Sequence, residues 1–212
     1  MNEMTKAPGA PETSTARAAG KAKLTPTMLN HAAYVTHDAE ATTKFYTEIM
    51  GMEFASTILD DKVPSTGDEF PYFHIFFKMG DGSTMAFFEA PGLPPQSKSS
   101  HRAYDVFNHI ALDAGSPEAV HEWYEWLTSN GLEVIGPVDH KGIILSIYFH
   151  DPNGIRLEIT SPTDSTWNAH TDQAYKDLEG WTRTKKEAAA AGKDVNQALL
   201  DFIHETRKRY DG

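Results

Sequence analysis

The feature that most limits what this chain can fold into is an internal repeat. Asn30-His31 and Asn108-His109 each sit in a short apolar run, Met28 to Val35 and Phe107 to Leu112. Fourteen and fifteen residues past each histidine lie Phe45-Tyr46 and Trp123-Tyr124, and a glycine, Gly51 or Gly131, then precedes another apolar run. A segment repeated at this period signals two copies of one supersecondary unit that share a core.

Each copy reads as strand, helix, then three strands. In the first, Met28 to Val35 is a strand, and Thr36 or Asp38 caps a helix whose inner face is Ala41, Phe45, Tyr46 and Ile49. Gly51 ends that helix before a strand at Met52 to Ser56. Strands at Tyr72 to Met79 and Ser83 to Ala90 flank the Asp81-Gly82 turn. In the second copy Phe107 to Leu112 is a strand. Pro117 to Asn130 is a helix with Ala119, Trp123, Trp126 and Leu127 inward, and Leu132 to Ile135 is a strand. A hairpin closes the unit. Its first strand is Ile143 to His150, and Asp151-Pro152-Asn153-Gly154 carries Asp, Pro and Gly where a type I turn favours them. The return strand, Ile155 to Thr160, has Ile155, Leu157 and Ile159 on one face and Arg156, Glu158 and Thr160 on the other.

These patterns divide the chain into a first module over 27–92, a linker over 93–105, a second module over 106–162 and a helical extension over 163–212. Residues 1–26, rich in Ala, Pro, Thr, Gly and Lys, read as a disordered leader. In the extension, residues 167–191 read as a helix with Ala174, Leu178 and Trp181 on one stripe. Asp194 and Gln197 then open a second helix with Val195, Leu199, Phe202 and Ile203 inward. This tail is expected to pack on the two modules or on a partner subunit.

Composition narrows the function classes. The chain has no cysteine, which removes disulfides, thiolate metal sites and cysteine nucleophiles together. A formal net charge of −11 argues against nucleic acid or an anionic membrane as partner. No apolar run approaches the ~18 residues of a membrane span, and the N-terminus lacks the apolar core of a secretory signal. A cytoplasmic enzyme is the simplest expectation.

Glu158 is the residue that needs a reason, because an unpaired buried carboxylate is costly and such groups end up paired or on a metal. A solvent-facing Glu on a half-exposed sheet is the bland alternative. A lone histidine on an apolar strand is likewise more often a satisfied core residue. Two histidines at equivalent places of a repeat, His31 and His109, together with Glu158, instead point to a divalent metal site. Imidazole and carboxylate suit Fe, Mn, Ni, Co or Zn, and two His with one carboxylate suit non-haem Fe(II). Glu89 is a fourth candidate. It ends the first module as Glu158 ends the second, and its parity with Met85 and Phe87 directs it inward.

The paired units, with Asn-His on each first strand and Asp-Pro-x-Gly before the final Glu, resemble the vicinal oxygen chelate superfamily. That superfamily includes glyoxalase I, extradiol ring-cleavage dioxygenases and bleomycin-resistance proteins. The similarity spans residues 27–162 and implies an α+β fold, two βαβββ modules forming an open, cup-like mixed sheet around one metal. His140, Ile147-Tyr148, Asp151-Pro152, Gly154 and Glu158 are similar in order and spacing to the segment that marks type I extradiol dioxygenases.

That likeness implies iron held by His31, His109 and Glu158, Tyr148 hydrogen-bonding a substrate oxygen, and His140 steadying the oxygen species. The chain departs from those dioxygenases in having two modules rather than the usual four. Their acid–base histidine near the preceding hairpin is also missing; Asp81-Gly82-Ser83-Thr84 stands there, with only His74 nearby. His31, Glu89, His109 and Glu158 also fit the ligand order of glyoxalase I, in which Tyr148 and His140 have no role. The expectation is an extradiol-type Fe(II) dioxygenase acting on a small catechol-like aromatic, as a homodimer. A glyoxalase-type metal-dependent isomerase or lyase is the alternative, and a metal-free binding or resistance protein the third.

Overall fold

The computed structural model describes residues 25–94 and 100–208. The expected leader over 1–26 and the middle of the linker over 93–105 lie largely outside them. The first module runs β1 (His31–Thr36), α1 (Ala39–Lys44), β2 (Glu53–Lys62), β3 (Glu69–Lys78) and β4 (Thr84–Glu89). The Asp38 carboxylate accepts the Ala41 N–H and starts α1. A π-turn over Phe45–Ile49 continues the helix, closed by Met50 N–H donating to the Phe45 carbonyl. The consecutive rings Phe45 and Tyr46 in that turn are both buried. Gly51 then takes φ +67, and Gly131 in the second module φ +82, a left-handed exit that suits a residue without Cβ.

The second module follows a short helix, α2 (Arg102–Phe107). It runs β5 (Ile110–Asp113), α3 (Pro117–Ser129), β6 (Ile135–Asp139), β7 (Ile144–His150) and β8 (Arg156–Pro162). Three sequence expectations shift here. Phe107 closes α2 and is 75% exposed, so β5 starts at Ile110 rather than Phe107. The strand expected at Leu132 to Ile135 begins where that stretch ends. Trp126 is 46% exposed, because its indole N–H reaches out of the module to the Ile49 carbonyl at 2.8 Å.

The sheets are ordered β1-β4-β3-β2 and β5-β8-β7-β6, with β1/β4 and β5/β8 parallel and the other pairs antiparallel. Both are open, and β1 and β5 each end a sheet with one edge unpaired among the described residues. Alternation assigns the faces. Ile75, Phe77, Met85 and Phe87 of one sheet, and Ile147, Phe149, Leu157 and Ile159 of the other, join Tyr46, Val120 and Leu127 in a single core. The modules therefore share the faces covered by their helices. The opposite faces, carrying His31, His74 and Phe88 on one sheet and Tyr148, Arg156 and Glu158 on the other, turn away from that core.

The extension forms α4 (Thr171–Ala190) and α5 (Val195–Lys208), with the Asp194 carboxylate accepting from the Asn196 and Gln197 N–H groups as the cap. Leu199 is buried and Phe202 and Ile203 half-buried, as the pattern implied. The inward stripe of α4 differs from the expected one. Gly180 and Ala188 are its buried residues, while Leu178 and Trp181 stay exposed. Small residues win this face because α5 comes so near: a Cβ at Gly180 would lie 2.7 Å from the Phe202 ring.

Candidate metal and ligand site

The second module builds a compact polar cluster on the face turned away from the core. In β7 and β8 the register sets Tyr148 opposite Glu158, and Glu158 is also the partner of Ala111 on β5. His109, two residues before Ala111, falls on the same face by alternation. Its Nε2 lies 2.7 Å from Glu158 Oε2. The other carboxylate oxygen, Oε1, accepts the Tyr148 hydroxyl at 3.1 Å. Tyr148 OH is in turn 2.8 Å from His140 Nε2. A phenol has one proton and an ionised carboxylate only accepts, so with Tyr148 donating to Glu158 the His140 Nε2–H donates to the phenol oxygen. Burial, and next the adjacent Glu158 charge, raise the Tyr148 pKa above its ordinary value of 10.

Glu158 is thus buried and engaged at both oxygens, which removes the bland reading of a solvent-facing residue. Arg156 completes the cluster, its guanidinium carbon 4.4 Å from the centre of the Tyr148 ring. The alternation that singled out Glu158 also marks Arg156, two residues earlier on the same face.

The first module carries a second group. His31 Nδ1 donates to Asn30 Oδ1 at 2.7 Å, which leaves the Nε2 lone pair free. His74 lies beside it, ring centroids 6.4 Å apart, stacked on Phe88 at 3.6 Å and in contact with Phe76 at 4.0 Å. His74 is 7% exposed and its Nε2 has no hydrogen-bond partner. Desolvation first, and the neighbouring His31 second, push its pKa down to about 4. Sequence reasoning noted His74 only as the histidine near the Asp81-Gly82 hairpin and assigned it no role.

The four sequence-selected ligands do not gather in one chain. His109 and Glu158 meet, whereas His31 sits with His74 on the other sheet. Among the described residues no group of three or more ligand-type side chains converges on one point. Glu89 faces the helix side, where its Oε2 accepts the Ala39 N–H at 2.6 Å, beside the start of α1. Its parity with Met85 and Phe87 does direct it inward, but toward the core shared by the modules, away from His31. The donor set of His109, Glu158 and a histidine with a free Nε2 nonetheless fits a divalent cation.

The chain matches the family described as the glyoxalase/bleomycin resistance protein/dioxygenase superfamily over residues 28–159. No curated protein matches it significantly. Among solved structures, a glyoxalase/bleomycin resistance protein/dioxygenase domain from Frankia sp. EAN1pec is similar, with a TM-score of 0.53 and 15% identity, covering 65% of this chain and 99% of that one. A glyoxalase/dioxygenase from Nostoc punctiforme gives a TM-score of 0.46 and 23% identity over 68% of this chain and 99% of its own. A point mutant of the fosfomycin resistance protein FosX from Listeria monocytogenes, in complex with Mn(II) and 1S,2S-dihydroxypropylphosphonic acid, gives 0.47 and 22% over 66% and 95%. The family match over most of the two modules, on two open βαβββ sheets, establishes that this chain belongs to the glyoxalase/bleomycin resistance protein/dioxygenase superfamily.

Proposed function

We propose that this protein is an extradiol-type Fe(II) dioxygenase acting on a small catechol-like aromatic, with His31, His109 and Glu158 as the iron ligands. The observation that carries the reading is the chain His140 Nε2–Tyr148 OH–Glu158 Oε1, at 2.8 and 3.1 Å, adjoining the His109–Glu158 contact. A divalent metal held there would supply a Lewis-acidic centre for the vicinal oxygens of a catechol and for O₂. Tyr148 then stands beside the carboxylate ligand as a donor to a substrate oxygen. His140 holds the phenol in place and backs it with a second proton. A glyoxalase-type isomerase has no use for this pair, and it needs Glu89, which is engaged at α1.

The third ligand comes from a second copy of the chain. β1 and β5 have open edges, and β1 of one copy beside β5 of the other unites their sheets. That arrangement sets His31, first residue of β1, against His109 and the Glu158 strand of the partner. One copy also leaves Val35 of β1 exposed on that face, beside the edge that would be joined.

Oxygen uptake by anaerobically Fe(II)-loaded protein over a panel of substituted catechols tests the reaction, with ring-opened product followed optically. Uptake is expected in the wild type. His109→Ala is expected to lose both metal and uptake, and Tyr148→Phe to keep metal while slowing turnover by about 10²-fold or more. Protein that holds one metal per chain yet consumes no oxygen with any catechol would transfer the assignment to the isomerase or lyase class.

A further inference from the structure

Arg156 is the unexplained cation of the site. It lies on β8 two residues from Glu158, on the same face, and covers the Tyr148 ring at 4.4 Å. Among the described residues it forms no ion pair, the four such pairs being Lys78–Glu53, His109–Glu158, His170–Asp164 and Arg183–Glu179. Its Nε is buried without a hydrogen-bond partner. Guanidinium groups removed from bulk water are ordinarily matched by a carboxylate or phosphate through two parallel N–H bonds. In a chain of net charge −11, a cation left unmatched beside the reactive cluster is a notable exception.

We infer that Arg156 selects substrates carrying an anionic group, a carboxylate on the ring or on a short side chain. The inference rests on the proposed ligand site, because it assumes that the substrate's oxygens lie at Glu158 and Tyr148. The spacing suits that assumption. Two residues along a strand cover about 6.6 Å, comparable to the breadth of a substituted benzene ring. A ring with its hydroxyls at Glu158 then carries its far substituent toward Arg156. The Tyr148 ring packs against the guanidinium at 4.4 Å, so less rotamer freedom is lost when the anion arrives than for an unsupported arginine.

Two pairs of probes separate the two claims. 3,4-Dihydroxybenzoate, 3,4-dihydroxybenzamide, benzoate and benzamide are titrated calorimetrically into Fe(II)-loaded full-length protein under anaerobic conditions. The hydroxyls report the chelating site, and carboxylate against carboxamide reports Arg156. The acid of each pair is expected to bind about tenfold tighter than its amide, as for a charge-assisted contact. In Arg156→Gln that ratio falls to about one, with amide affinity unchanged, and Arg156→Lys recovers part of it.

Equal affinities for acid and amide in the wild type overturn the inference, as does the absence of binding by any of the four. So does an acid preference that survives in Arg156→Gln. Parallel loss of acid and amide binding in that variant, with no recovery in Arg156→Lys, overturns it too by assigning Arg156 to the support of Tyr148. Acid preference without any advantage from the hydroxyls would instead retain Arg156 and defeat the chelating site.

Discussion

The Tyr46 hydroxyl donates to Asp151 Oδ2 at 3.1 Å, joining the helix of the first module to the β7–β8 turn of the second across 105 residues. Asp151 was legible as the first residue of a type I turn, and it is that: its backbone carbonyl accepts the Gly154 N–H, and Oδ1 accepts the Asn153 and Ile155 N–H groups. Its second oxygen does something a turn does not require. With Asn153 Nδ2 donating to Thr42 Oγ1 at 3.1 Å, the turn is bolted to the neighbouring module. Burial raises the Asp151 pKa even though these hydrogen bonds oppose the rise.

Removing the Tyr46 hydroxyl leaves a buried carboxylate oxygen with one donor fewer. Tyr46→Phe is expected to destabilise the fold by about 1–2 kcal/mol, with metal content unchanged. Urea unfolding followed by circular dichroism reads this, and an unchanged midpoint would show the bond to be worth nothing net.

His74 gives a pH dependence whose sign is fixed. Its folded pKa of about 4 lies below the ordinary 6.5, so between those values the unfolded chain takes up a proton that the folded chain does not. The associated stability is complete above pH 6.5 and is lost as pH falls through the window to about 4. His74→Phe keeps an aromatic ring between Phe76 and Phe88 and removes both the titration and the orphaned Nε2. Its melting temperature is expected to exceed the wild type's, by more at pH 5 than at pH 7.5. A difference that does not vary with pH would refute the account.

Subunit mixing tests the origin of the third ligand. His31→Ala and Glu158→Ala are each expected to bind no metal alone. After unfolding and refolding as an equal mixture, half the dimers are hybrids, each with one intact site, and about a quarter of the metal returns. A site drawn from a single chain would recover none.

Glu89→Gln separates the three-ligand from the four-ligand arrangement. An amide oxygen still accepts the Ala39 N–H, so metal content after exhaustive dialysis is expected to match the wild type, with a stability loss of roughly 1 kcal/mol or less. Loss of the metal would restore Glu89 to the ligand set and favour the glyoxalase-like chemistry.

What the sequence made legible was local. The repeat located both Asn-His strands, the capping residues Asp38 and Asp194 did what their positions implied, and alternation put Glu158 on the polar face of its strand. Relations between modules were not legible, because periodicity assigns a side chain to a face but not the face to a neighbour. Glu89 shows the difference. Its inward parity was correct, yet inward meant the shared core. His31 shows it from the other side, since equivalence with His109 in the repeat carries no information about distance. Ala174, Leu178 and Trp181 were assigned inward by their spacing on one stripe, yet all three are exposed, and the small residues Gly180 and Ala188 let two helices meet.

The unpaired edges of β1 and β5 make self-assembly a question of closure. Two unlike edges on one rigid body either meet their complements in a single two-fold partner or run on head to tail into a filament, and the angle between the sheets selects the outcome. That angle is held by the shared core together with a few polar links, among them Tyr46 to Asp151, Asn153 to Thr42 and Trp126 to Ile49. In the proposed pairing of β1 with β5, residues far from any chemistry would therefore govern whether assembly ends at two copies or keeps growing.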